Sequence, residues 1–188
     1  MTTTSIIMLL VVVVAAGVAL AWYFQGQQRT RRLRERFGPE YERTQKEMGD
    51  ARRAEAALAA REQRVEKLHI RPLKPEEADR FAEVWRHIQT LFVDDPKGAI
   101  NEADHLVNEV MTARGYPMAD FNQRVSDISV DHPIVVEHYR AARAIAERNQ
   151  AGSASTEDLR QAVIHYRALF EDLLGRKSAE TEHHYVRR

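Results

Sequence analysis

There is no cysteine among the 188 residues, which removes disulfides, thiolate metal sites and a cysteine nucleophile and is silent about redox compartment. Proline and glycine are scarce, at 6 and 8 residues, and most fall between apolar-periodic stretches, as helix punctuation does. No stretch alternates apolar and polar residues long enough to read as a half-buried strand. Glycine-rich phosphate loops, Walker patterns and a G-x-S-x-G nucleophile turn are missing as well. Excess charge of either sign is also lacking, with 28 Lys and Arg against 28 Asp and Glu. What remains is an all-α chain in which no catalytic motif is found and no cofactor is expected.

Charge is absent locally too, from Ile6 to Phe24, and no Lys or Arg appears before Arg29. Nineteen residues of helix measure roughly 28 Å, near the ~30 Å of a bilayer's hydrocarbon layer. The stretch therefore reads as a single-pass transmembrane helix, with Trp22 and Tyr23 as interfacial anchors. A cleaved signal peptide is the rival, since Ala19-Leu20-Ala21 resembles a cleavage site, but the first five residues lack the basic n-region. Arg29, Arg31, Arg32, Arg34 and Arg36 follow the span directly. The positive-inside rule then puts the N-terminus outside and the rest in the cytoplasm of a bacterium's inner membrane, with the lipid bilayer as a partner.

Charge is unevenly spread beyond this segment. Residues 29–71 carry a net +5, residues 72–175 a net −7 and residues 176–188 a net +2. A basic stem beside an acidic domain suits an anionic membrane surface and argues against nucleic acid as a partner. The expected organisation is an anchor over 1–28, a basic juxtamembrane segment and helical stalk over 29–71, a bundle of four to five helices over 72–175, and a tail over 176–188. In the stalk Tyr41, Met48, Ala51, Leu58 and Val65 follow a 3.5-residue average, a weak coiled-coil seam that Thr44, Glu55 and Glu62 dilute.

The bundle helices are read from 3.6-residue periodicity and their stops. Phe81, Val84, Trp85, Ile88, Leu91 and Phe92 form the first stripe, and Ala99, Ala103, Leu106, Val107, Val110 and Met111 the second. Met118, Phe121, Val125 and Ile128 make a short helix. Pro133 is placed in the first turn of the next, with Asp131 or His132 as its N-cap and Val135, Tyr139, Ala142 and Ala146 buried. Ser155 to Asp158 reads as a capping box for a last helix whose face is Leu159, Ala162, Val163, Tyr166, Leu169, Phe170, Leu173 and Leu174.

Four stretches, ERFGPEYER (35–43), RGYP (114–117), SVDHPIVVEHYR (129–140) and TEDLRQA (156–162), resemble a family of uncharacterised bacterial proteins. Its members have an N-terminal hydrophobic segment and a helical C-terminal region. The resemblance implies a bacterial membrane protein and supplies no activity.

Candidate chemistry is thin. Glu102-x-x-His105 has the spacing of bundle di-metal sites, but both residues fall opposite the apolar stripe, and the second match, Glu180-x-x-His183, is in the tail. Asp131-His132 is explained by capping. His87, His138 and His165 lie at the edges of stripes on three helices. Each is expected as a boundary residue with its ring against the core; the rival is convergence on a metal or into a proton-responsive cluster. Trp85 and Tyr116 are candidate partner contacts. Two functions follow: a membrane-anchored protein-interaction or scaffold module that binds another protein or itself, or a ligand- or metal-binding helical domain using the three histidines.

Overall fold

The computed structural model describes the backbone of residues 3–118 and 120–175, and their side chains from Val13 onward except those of 15, 18, 19 and 21. The chain is all-α. Eight helices are present among the described residues: α1 (Thr3–Phe37), α2 (Pro39–Met48), α3 (Ala51–Glu66), α4 (Pro75–Asp94), α5 (Pro96–Arg114), α6 (Phe121–Asp131), α7 (Val136–Gln150) and α8 (Thr156–Leu173). They fall into two compact units that divide between Ala59 and Ala60, within α3.

The transmembrane expectation is corrected. Among the described residues no helix is long and apolar enough to cross a membrane. The described apolar side chains of α1, from Val13 on, lead into Gln25, Gln27, Gln28 and the arginines within one 35-residue helix. The part of the expectation that rests on side chains of residues 1–12 lies outside the described residues, as does the tail. The bilayer partner, the inner-membrane location and the interfacial roles of Trp22, Tyr23, Arg29, Arg31, Arg32, Arg34 and Arg36 lose their support with the span. Trp22 and Tyr23 are exposed on α1, where Gln27 donates to the Tyr23 hydroxyl at 2.8 Å and Arg31 pairs with Glu35 at 2.8 Å.

In the first unit, Gly38 breaks α1 from α2 with φ 47°, and Pro39 opens α2, where its missing N–H leaves no helix bond unmade. Leu33, Phe37, Tyr41, Ala54 and Leu58 are buried. Glu55 ties three helices, accepting from the Thr30 hydroxyl at 2.7 Å and the Tyr41 hydroxyl at 3.0 Å. This glutamate at a diluted coiled-coil position is therefore a cross-helix acceptor.

The second unit takes its core from the apolar stripes of α4, α5, α7 and α8. Trp85 of α4 stacks on Phe170 of α8 with ring centroids 5.1 Å apart, an offset aromatic pair of the kind that adds specificity to buried area. Caps mark the breaks: Asp95 accepts from the Gly98 N–H at 2.9 Å, Asp120 from Gln123 at 3.1 Å and Ser155 from Asp158 at 3.1 Å. The start of α7 differs from expectation. Asp131 closes α6, Pro133 sits in a turn and α7 opens at Val136, because both expected caps are engaged elsewhere: the Tyr116 hydroxyl donates to Asp131 at 3.3 Å, and His132 faces α8.

Gly115 ends α5 in the left-handed region at φ 95°. A Cβ there would stand 2.7 Å from the His69 carbonyl oxygen, in the linker segment that donates from the Arg71 N–H to the Arg114 carbonyl at 2.9 Å. Gly152 shares the positive φ, at 72°, in open space. Gly115→Ala is therefore expected to cost roughly 3 kcal/mol, strain and clash together, against roughly 1 kcal/mol for Gly152→Ala. Urea denaturation of the two variants checks the difference.

Candidate functional site at the α7–α8 seam

Helices α7 and α8 run antiparallel and pack through Ala142, Ala146 and Ala162, small side chains that let the axes approach. Polar contacts cross beside this floor at three levels. At one end Arg148 donates to Asp158 at 2.7 Å. In the middle the Nδ1 atoms of His138 and His165 lie 2.9 Å apart, with ring centroids 5.2 Å apart. At the far end His132 Nδ1 meets the Asp172 carboxylate. The register follows from the helices: ten and then six residues down the α7 side match seven and seven up α8.

The middle contact is chemically unusual. A hydrogen bond between two Nδ1 atoms needs one ring to donate and the other to present a lone pair, so at least one imidazole is neutral there. Burial holds the His165 ring below the ordinary histidine value, and the nearby His138 adds to the effect. The charged neighbours along these helices are matched among themselves: Glu137 with Arg140 at 2.6 Å, Glu157 with Arg160 at 2.7 Å and Arg167 with Glu171 at 2.8 Å.

The far contact has a defined tautomer. Arg114 Nη1 approaches His132 Nε2 at 2.8 Å, and a guanidinium only donates, so Nε2 is the acceptor and Nδ1–H points at Asp172. The same Arg114 atom donates to the Leu173 carbonyl at the end of α8, at 3.0 Å, where a cation also complements the helix dipole. With both ring nitrogens occupied, His132 is a clasp joining α5, the α6–α7 turn and α8.

Below the seam, Asp104 of α5 accepts from the Tyr166 hydroxyl at 2.8 Å and from Arg143 at 3.0 Å. Burial first, then Asp104, pushes the Tyr166 phenol far above its usual value; burial raises Tyr139 to about 12. Both tyrosines are therefore neutral packing groups.

The structure brings together two of the three stripe-edge histidines. His87 is exposed on α4 and does not join them. Among the described residues no group of three His, Cys, Asp or Glu side chains is placed to hold a metal ion, which overturns the metal-binding alternative and its three-histidine convergence. His105 pairs with its own helix neighbour Glu109 at 3.3 Å; Glu180 and His183 lie outside the described residues. Trp85 and Tyr116 are 5% and 3% exposed, so neither offers a surface to a partner. Arg114 and Asp172 were not singled out by sequence reasoning; only the antiparallel register puts them on His132.

No family model, curated protein or solved structure matches the chain. The resemblance to a bacterial membrane family is corrected on the first of these. The stretches that carried it have local structural roles: the Gly38-Pro39 break, the left-handed stop at Gly115, the His132 clasp and the cap of α8.

The lowered His165 value has a definite sign. Below the ordinary histidine pKa of ~6.5 the unfolded chain takes up protons that the folded chain resists. Stability is therefore expected to fall as pH drops below ~6.5 and through the lowered value. His165→Gln should flatten that part of a melting-temperature series while leaving the neutral-pH melt within a few degrees.

Proposed function

We propose that this protein is a proton-responsive helical module, in which the closeness of α7 and α8 depends on the charge of the His138–His165 pair. The observation that supports it is the 2.9 Å Nδ1–Nδ1 contact. With both rings protonated, two donors and two positive charges face each other, the bond is lost and the contact turns repulsive. The flanking contacts respond differently. Arg148 and Asp158 keep opposite charges in mild acid. Acid thus loosens the middle of the seam while the Arg148–Asp158 end stays tied.

The consequence of loosening is access to the apolar floor. Ala142, Ile145, Ala162 and Leu169 are covered in the closed form. Ile134, 63% exposed, lies in the α6–α7 turn four residues before His138, and Ile164, 45% exposed, adjoins His165. An opened seam would extend these exposed side chains into a larger apolar surface, the kind that recruits another apolar face.

Amide hydrogen exchange at pH 7.5 and 5.5, corrected for intrinsic rates, tests the reading. Residues 136–150 and 156–173 are expected to lose at least tenfold of their protection in acid relative to α4. His165→Gln should abolish the difference, because an amide side chain donates to a neutral imidazole or accepts from a charged one. Equal loss of protection in all helices, or an unchanged response in His165→Gln, would overturn the proposal.

A further inference from the structure

Helix α1 is about 52 Å long at 1.5 Å per residue, whereas α2 and α3 have 10 and 16 residues and measure about 15 and 24 Å, with only Ala51 to Ala59 of α3 in the first unit. The covered stretch of α1 is marked by Leu33 and Phe37, at 2% and 0% exposure; the part before it leaves Val13, Val14, Leu20, Trp22, Tyr23 and Phe24 between 56% and 78% exposed. Within that part Val13, Gly17, Leu20 and Phe24 are spaced four, three and four residues apart, the spacing of a helix-pairing seam. At 100° per residue they fall within about 60° of arc, on the side of α1 roughly opposite Leu33 and Phe37. A Cβ added to Gly17 would meet nothing within 4 Å, so a large side chain from outside can approach the backbone there.

We infer that this stripe is the contact surface for α1 of a second copy of the chain, packed antiparallel. Reversing one helix sets Leu20 against Gly17 and Val13 against Phe24, large on small at the centre and apolar on apolar at the ends. It also keeps the two Arg29–Arg36 clusters at opposite ends, where a parallel pair would align five arginines with five. On the stripe itself Val13, Leu20 and Phe24 present on the order of 300 Å² per copy, so this described part supplies under half of the ~800 Å² that each partner contributes to a stable interface. The surface is independent of the α7–α8 seam, so it stands or falls separately from the proton response.

The absence of native cysteine makes the test direct. In the full chain, Val13→Cys mixed with Phe24→Cys is expected to give an oxidised heterodimer at least tenfold above either variant alone. Val13→Cys mixed with Trp22→Cys, off the stripe, should stay at background. Sedimentation of the native chain should show a dimer that Leu20→Glu weakens at least tenfold. Crosslinks of equal yield on and off the stripe would overturn the inference. So would a chain that sediments as a monomer, whether free or with α1 taken up by a detergent micelle or lipid vesicle.

Discussion

The second unit depends on burying one face of α8. Leu159, Ala162, Tyr166, Leu169, Phe170 and Leu173 are all at or below 2% exposure, and α5 and α7 both pack on this helix, with Trp85 of α4 stacked on its Phe170. Area removed from water is the driving force, non-directional by nature. Direction comes from the one polar tip in the stripe. The Tyr166 hydroxyl cannot be buried cheaply unless it is paired, and its bond to Asp104, which also receives Arg143, selects the rotation at which α5, α7 and α8 meet.

With that rotation set, the side chains flanking the α8 stripe on its α7 side are bound to face α7. Asp158, His165 and Asp172 recur every seven residues, about two turns, and each finds a partner. Two of the three partnerships are between complementary groups. The third joins two imidazoles, and its stability rests on proton count in a way the others do not. The contrast within one seam gives the site its character: the ends hold by opposite charge or by a fixed tautomer, while the middle holds only while a lone pair is available.

The first unit follows a different logic. Glu55 satisfies two hydroxyls from two other helices, while on α1 Arg31 pairs with Glu35 one turn away and Arg34 lies over Tyr41 at 5.1 Å. Exposed pairs of this kind contribute little individually. The described apolar side chains of α1 before them, Val13 to Phe24, are exposed.

Much of the fold was legible in sequence, because a helix advertises itself through local periodicity and its ends through proline, glycine and capping residues. The stripes of α4, α5 and α8 and the stops at Gly38, Asp95-Pro96 and Gly115 are local facts of this kind. The membrane reading rested on the apolar run from Ile6 to Phe24, and among the described residues no helix is long and apolar enough to cross a membrane. The start of α7 was misplaced because the Asp131 and His132 side chains bond at long range. The residue types and spacing determined an all-α chain with histidines at stripe edges. Only tertiary structure decided which histidines meet, since a 2.9 Å contact between residues 27 apart depends on the rotation and antiparallel register of two helices, and those follow from packing, to which no single helix is witness.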